Sequence, residues 1–438
     1  MVPKEFQTIT GLGNCPSDWL VKTADELTSK ITKGTTPPKT EIVSDSKIPF
    51  LRVNNLGFNG ELDTSSDMIF VTQEAHNGSL ARSIAYPGDI LMNIVGPPLG
   101  KIAMLGRDFD EYNMNQAIVI YRTVSSKVNK NYFLNFLSSD LAQQWLQSRS
   151  KKTSGQQNLT IQLCKELPVP TPPLPEQQKI AKILSTWDKA ISTTERLIDN
   201  STQQKKALMQ QLLTGKKRLL DESGERFEGE WEERTLIDAG MTVTDGDRGK
   251  EYPNSSEFYD KGDYLFLSAK NVTKKGFLFE ETQFISKEKY EKLGKGIVNR
   301  GDVVLTTRGT VGQTAYYDDS VQYDFLRVNS GMVTLGCNNS ELESNFFYAL
   351  TNSSLFTRQV DSLTFGSAQP QLTIKIIKSL KVPIPSIPEQ QKIATVLTNA
   401  DKEIELLEQQ LADLQQEKKA LMQVLLTGKK RVVVDRSI

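Results

Sequence analysis

The chain is poor in the side chains that carry out chemistry. Among its 438 residues there is one histidine, His76, and there are three cysteines, Cys15, Cys164 and Cys337. A single imidazole excludes most histidine-built metal sites and leaves a histidine-dependent nucleophilic triad without support. His76 lies in QEAHNGS and is read as a solvated loop residue. The cysteines are odd in number, far apart and form no Cys-x-x-Cys pair, so free thiols in a reducing compartment are expected. An excess of either charge is also absent, with 53 basic against 53 acidic residues. That argues against nonspecific coating of nucleic acid, since phosphate binding scales with lysine and arginine. It leaves room for local basic patches or for a basic partner. No apolar run approaches the roughly 20 residues that cross a bilayer. The opening MVPKEFQTIT has no basic segment followed by a hydrophobic core, so no signal peptide is read and a cytoplasmic protein is expected. What is present is ordinary for folded protein: 38% hydrophobic and 24% charged residues. At roughly 100–200 residues per domain, the length suggests two to four domains.

The organising fact is a repeat. PEQQKIA stands at Pro175–Ala181 and again at Pro388–Ala394, 213 positions later. LLTGKKR stands at Leu212–Arg218 and again at Leu425–Arg431. Between these limits the two copies align without a gap and share 26 of 44 positions. The similarity extends backwards more faintly. SGQQNLTIQLCKELPVP from Ser154 matches SAQPQLTIKIIKSLKVP from Ser367. GDILMNIVG (Gly88–Gly96) matches GDVVLTTRG (Gly301–Gly309), FLRVNNL at Phe50 resembles FLSAKNV at Phe266, and Trp19 and Trp231 open the two halves in similar settings. The period is far too long for a solenoid. Each half is a globular region, a proline-rich hinge and a helical repeat. The boundaries are 1–170 and 171–220 in the first half, then 221–385 and 386–438 in the second.

The repeats read as long helices. Pro175 and Pro388 suit a first turn, where the missing N–H costs nothing. Glu176 and Glu389 favour the positive end of the helix dipole, and Gly215 and Gly428 suit a left-handed cap. Apolar residues alternate by four and three. In the second copy they are Ile393, Leu397, Ala400, Ile404, Leu407, Leu411, Leu414, then Lys418, Leu421 and Leu425. In the first they are Ile180, Leu184, Trp187, Ile191, Thr194, Ile198, Ser201, then Lys205, Leu208 and Leu212. This is a coiled-coil seam, interrupted by lysine at the same place in both copies. About 40 residues at 1.5 Å each make a rod on the order of 60 Å. An antiparallel pairing of the two helices is expected, giving the chain an approximate two-fold repeat. The alternative is a helix packed on its own globular region.

The globular regions read as mixed α/β. Strands are expected at Ile48–Asn54, Ile90–Val95, Ala117–Val124, Leu265–Leu267, Val303–Thr307 and Gly331–Leu335, and helices at Asn131–Arg149 and Ser344–Val360. No Gly-x-x-x-x-Gly-Lys-Ser/Thr phosphate loop is present, and the acidic residues show no spacing that marks a nuclease metal site. Gly96-Pro97-Pro98-Leu99 is similar to the Pro-Pro motif of amino-methyltransferases. It lacks the acid or asparagine before it, the aromatic after it and any glycine-rich cofactor loop, so it is read as a tight turn. What remains is a set of polar loops suited to base edges, since Asn and Gln bond bidentately to adenine and Arg or Lys to guanine. The candidates are Arg52, Asn54, Asn55, Lys101, Gln156, Gln157 and Asn158 in the first head, and Lys270, Asn271, Arg308, Gln369 and Gln371 in the second. Arg52 and Lys270 could instead bond to phosphates.

Two variable heads alternating with two repeated helices, each opening on a Pro-Glu-Gln-Gln phrase and closing on Leu-Leu-Thr-Gly-Lys, resemble the specificity subunit of type I restriction–modification enzymes. The resemblance covers essentially the whole chain. It implies two target recognition domains, each reading half of a bipartite site in double-stranded DNA. It implies a fold of two mixed α/β domains joined by an antiparallel coiled coil that acts as a ruler. It implies two adenine-N6 methyltransferase subunits as partners, using S-adenosylmethionine, and restriction subunits using ATP and Mg. No catalytic residue or cofactor is then expected in this chain. The repeated helix starts, Glu176, Gln177 and Lys179 with Glu389, Gln390 and Lys392, are the expected partner-docking residues, equivalent patches holding equivalent subunits. The alternatives are a two-headed scaffold that binds no DNA and a self-sufficient enzyme; the second would need a methyltransferase motif set that is absent.

Overall fold

Apolar runs bounded by turn residues form strands here, and they do so twice on one plan. The computed structural model describes residues 5–44, 46–58, 60–64, 68–153, 156–364 and 371–434. The chain divides into two units, Met1–Glu195 with Gln409–Ile438, and Arg196–Glu408. Each unit therefore holds one head, part of the first long helix (Leu174–Leu212) and part of the second (Ile387–Leu425).

In the first unit an antiparallel sheet runs in the order Ile102–Met104, Ile90–Asn93, Ile118–Thr123, Thr28–Lys33. Side chains alternate across a strand, so both faces of this apolar sheet must be covered. Ile90, Met92, Ile102, Val119 and Tyr121 enter a core with Tyr132, Phe133, Phe136, Trp145 and Leu146. Leu91, Ala103, Ile118 and Ile120 enter another with Leu56 and with Leu51 and Met114 from a second sheet. That sheet runs Asn113–Met114, Ile48–Leu51, Ile69–Val71, Ile42–Val43, with the first pair parallel.

The second unit repeats this arrangement. Its antiparallel sheet runs Thr242–Asp245, Met332–Gly336, Val303–Thr306, Thr314–Tyr316. Val303, Leu305, Val333 and Leu335 face a core with Phe346, Phe347 and Phe356, while Val304, Ala315 and Met332 face Leu265, Leu326 and Val328. Tyr264–Leu267 again pairs in parallel with a later strand, Phe325–Val328. The faint sequence likeness of the heads thus corresponds to a shared framework of buried strands.

The expected helices at 131–149 and 344–360 each resolve into two. Lys130–Ser138 and Asp140–Ser148 are separated by Ser139, which is extended at φ −71°, ψ 150° and caps the second piece by accepting from the Ala142 N–H. Ser344–Thr351 and Ser354–Thr364 part at Asn352 and Ser353. Serine competes with the helix for its own backbone, so it marks a boundary that apolar periodicity runs through.

His76 corrects its sequence reading. It lies in a short helix, Gln73–Asn77, and is only 1% exposed. Its Nδ1 is 2.6 Å from the Asn113 Oδ1 and its Nε2 is 2.9 Å from the Glu111 Oε2. Two polar partners more than thirty residues away let an imidazole sit inside, and no local pattern announces them. The three cysteines are free and buried. Burial pushes the Cys164 thiol up to about 11 and the Cys337 thiol up to about 12, so neither is poised as a nucleophile. Among the described residues no helix is long and apolar enough to cross a membrane.

Candidate nucleic-acid interface

Each head brings two loops together at the tip of a hairpin. In the first head the hairpin joins Ile90–Asn93 to Ile102–Met104. Its tip is built on Asn93, a buried amide that donates to the Val95 and Pro98 carbonyls and accepts from the Lys101 N–H. Pro97 and Pro98 are exposed on the tip, as expected for a tight turn. The strand Gln156–Asn158 lies against the start of the tip, with Gln157 opposite Gly96 and Asn158 opposite Val95. In the second head the hairpin joins Val303–Thr306 to Thr314–Tyr316. Thr306, at the position equivalent to Asn93, accepts from the Gln313 N–H through its hydroxyl. The Leu372 N–H donates to the Thr307 carbonyl at 3.1 Å, as Leu159 donates to Ile94 at 2.9 Å in the first head. One backbone scaffold therefore displays Val95 beside Asn158 in one head and Arg308 beside Gln371 in the other.

The sequence-predicted readers divide by their surroundings. Gln157 and Asn158 lie against the start of the first tip and Lys101 stands at its end, with the Lys101 ammonium 5.9 Å from the centre of the exposed Phe58 ring. The Gln156 backbone belongs to the same strand, and its side chain lies outside the described residues. Arg308 and Gln371 meet at the second tip and both are exposed. Gln369 lies outside the described residues. Asn54 is exposed just beyond the strand Ile48–Leu51, and half-buried Arg52 precedes it. Lys270 is exposed and pairs with Glu281.

Asn55 and Asn271 are structural. Both are buried, and each closes a single 3-10 turn by accepting from the N–H three residues earlier, that of Arg52 or Ser268, at 2.8 Å. Their amides donate onward, Asn55 to the Asp63 carbonyl and Asn271 to those of Leu278 and Glu281. Asparagine suits both base edges and turns, and residue type alone does not separate the two uses.

The repeated phrases meet each other at the helix ends. In the first unit Arg431, just past the second long helix, donates to both Glu176 carboxylate oxygens, at 2.6 and 2.7 Å, and to Asp18 at 2.8 and 2.9 Å. Its guanidinium lies 5.5 Å from the Trp19 ring centre. The Glu176 hydrogen bonds raise the Arg431 pKa further above its ordinary value. In the second unit Arg218 donates to both Glu389 oxygens, at 2.6 and 2.7 Å, and lies 5.5 Å from the Trp231 ring centre. Trp231 Nε1 donates to Glu389 at 3.1 Å. Trp19 Nε1 is buried with no hydrogen-bond partner among the described residues. The neighbouring glutamines anchor the heads: Gln177 accepts from the Asn129 N–H and Gln390 from the Glu343 N–H, each at 2.8 Å and each at the start of a head helix.

These contacts correct the docking expectation. Glu176 is 4% exposed, Gln177 1%, and Glu389 and Gln390 0%, because a buried carboxylate needs its arginine and a buried amide needs its backbone partners. They hold this chain together and offer nothing to another subunit. Lys179 and Lys392 are exposed. Sequence reading paired each PEQQ with an outside partner; the partner is the TGKKR of the other copy. The repeated basic endings and the matching Trp19 and Trp231 were the available signals.

The same pairs give the direction of the helices within each unit. In the first, Glu176 meets Arg431 and Asp188 meets Lys418, so advance along one helix is retreat along the other. In the second, Arg218 meets Glu389 and Lys205 meets Asp401. The seam lysines are thus ion-paired to the facing helix, a polar interruption that specifies register.

The helix-end glycines give a graded expectation. Gly215 and Gly428 both adopt left-handed backbone, with φ +68° and +67°. A Cβ on Gly428 would lie 2.5 Å from Pro16, whereas one on Gly215 would clear Trp231 at 3.4 Å. Gly428→Ala should cost about 2–4 kcal/mol and Gly215→Ala about 1–2 kcal/mol. Denaturant melts of the two variants check the order, and equal losses would show that backbone strain alone decides.

Residues 16–200 and 228–416 match the type I restriction modification DNA specificity domain. Among curated proteins, the chain is similar to the type I restriction enzyme MjaVIII specificity subunit of Methanocaldococcus jannaschii, 29% identical over 316 residues that cover 70% of this chain and 72% of that one. Among solved structures, the S subunit of a type I restriction–modification system from M. genitalium aligns with a TM-score of 0.55 at 18% identity, over 97% of this chain and 99% of that one. A chain from work on complex assembly and conformational transition of the type I R-M system aligns with a TM-score of 0.56 at 15% identity, over 95% and 99%. At those identities the structural likeness speaks for the fold.

Proposed function

This chain belongs to the type I restriction modification DNA specificity family, and from that premise we propose how its parts divide the work. It is the specificity subunit of such a system. Each head reads one half of a two-part site in double-stranded DNA through its hairpin tip and the loop beside it. The long helices hold the heads at a set spacing. Two adenine-N6 methyltransferase subunits dock on the outer faces of the repeated helices, where Lys179 and Lys392 are exposed at equivalent positions. Those partners bind S-adenosylmethionine, and restriction subunits joining them bring ATP and Mg. Modification and cleavage are theirs, in the cytoplasm, and this chain carries none of the catalytic groups.

The observation that carries this reading is an equal frame with unequal tips. The strands of the main antiparallel sheet recur in the same order, and an arginine–glutamate pair beside a tryptophan recurs in each unit. The tip positions differ, half-buried Val95 and Asn158 in the first head against exposed Arg308 and Gln371 in the second. A duplicated frame that varies where side chains reach outward suits two readers of different sequences held by one partner type. A genome-wide map of N6-methyladenine in the host, with and without this gene, tests it. Loss of one two-part motif on deletion is expected. A deletion strain with every methylated motif intact, although the partner subunits are expressed, would count against DNA reading by the heads.

A further inference from the structure

We infer that Arg308 is a guanine reader of the second head and that Gln371 is the residue that positions it. The inference rests on the reading of the heads as DNA readers and names the base chemistry of one of them. Arg308 projects from the hairpin tip and is exposed. With its amide turned so that the oxygen faces the guanidinium, Gln371 accepts from Arg308 Nε at 3.2 Å and from Nη2 at 3.0 Å. A guanidinium has five N–H donors in a fixed plane. Gln371 occupies the side formed by Nε and Nη2. The end formed by Nη1 and the second Nη2 hydrogen faces away, and two parallel donors of that spacing match the O6 and N7 acceptors of guanine in the major groove.

The surroundings fit a reader better than a structural arginine. Arg218, Arg234 and Arg300 of the same unit each pair with a carboxylate, and Arg327 is buried with its Nη1 on the Lys295 carbonyl. Arg308, like Arg226, Arg248 and Arg358, has no carboxylate partner among the described residues, and it alone of these four is held by a glutamine at a hairpin tip. Beside it, a Cβ on Gly309 would meet nothing within 4 Å, which leaves open space for a base edge. The tip is held on the other side by the Leu372–Thr307 hydrogen bond, so the residue that orients Arg308 adjoins the residue that anchors the loop. An arginine whose plane is set in advance loses less freedom on binding than one left loose, and the planar fork cannot be replaced by lysine without losing the bidentate geometry. The first head has Val95 and Asn158 at the equivalent positions, so its half-site should lack this contact.

The test uses the full chain assembled with its methyltransferase subunits, and reads N6-methyladenine sites in hosts carrying each variant. For Arg308→Ala we expect methylation to persist and one guanine in one half of the motif to become degenerate, with discrimination there falling about 5- to 150-fold. Gln371→Ala should relax the same position less, and Gln371→Glu, which keeps an acceptor, should restore the preference. Asn158→Ala in the first head should leave that position untouched. On duplexes of the mapped site, 7-deazaguanine at that position should slow methylation by the wild-type complex and leave Arg308→Ala unaffected. An unchanged motif in Arg308→Ala, or an equal loss at all sites, would make Arg308 a bystander or a phosphate contact and overturn the inference. No two-part motif in the wild type would overturn the reading beneath it, and this inference with it.

Discussion

Arg218→Ala is expected to destabilise the second unit by about 3–5 kcal/mol, the cost of leaving a buried charge without its partner. The Glu389 side chain is 1% exposed, against 19% for Arg218. Without the guanidinium the carboxylate keeps, among the described residues, only the Trp231 N–H. The reverse change is milder. In Glu389→Ala the orphaned arginine still donates to the Gly229 carbonyl at 2.7 Å and the Glu228 carbonyl at 3.1 Å, and it can turn toward water. About 1–3 kcal/mol is expected there. At roughly 2–4 °C per kcal/mol for a unit of this size, Arg218→Ala should lower the midpoint of thermal unfolding by about 6–20 °C. A double-mutant cycle isolates the pair. A loss below about 1 kcal/mol for Arg218→Ala would mean that the clasp contributes no more than a surface ion pair.

The second large effect concerns helix length. Along the first long helix Asp188 and Lys205 are seventeen residues apart (205 − 188), and along the second Asp401 and Lys418 are also seventeen apart (418 − 401). Removing the heptad Leu407–Asp413 shortens one of them by about 10 Å at 1.5 Å per residue and leaves the other alone. The equal separation of the two seam ion pairs along the helices is then lost. The single deletion should therefore lower the unfolding midpoint at least as far as Arg218→Ala, and methylation at the original motif should vanish. Removing the facing heptad Thr193–Asp199 as well makes the separations equal again. That paired deletion should recover thermal stability while the original half-site spacing stays lost. Methylation at unchanged spacing in either variant would refute the idea that the helices act as a ruler.

Much of this molecule was legible from patterns with a period. PEQQKIA and LLTGKKR, each recurring after 213 residues, marked the duplication and the ends of both long helices. Prolines at their starts and left-handed glycines at their ends stand where backbone chemistry requires them. The strands around Ile90, Val303 and Met332 were legible because apolar residues in short runs have few other uses. Ser139 and Ser353, which divide the head helices, were readable only as caps.

Side-chain roles at the sites were less legible. Asn55 and Asn271 have the chemistry of base readers but are spent on turns, while Arg308 and Gln371 became a pair only when the fold set a loop beside a hairpin tip. His76 went inside because Asn113 and Glu111 arrived from another part of the chain. The clasps make the same point at larger scale. Local chemistry dictated the helices, their caps, the strand runs and the fact of two copies, because those depend on neighbours within a few residues. Which copy's arginine would meet which copy's glutamate was settled by antiparallel packing. An ion pair between residues 171 or 255 positions apart has no local signature, and burial alone converted an apparent docking phrase into the chain's own fastening.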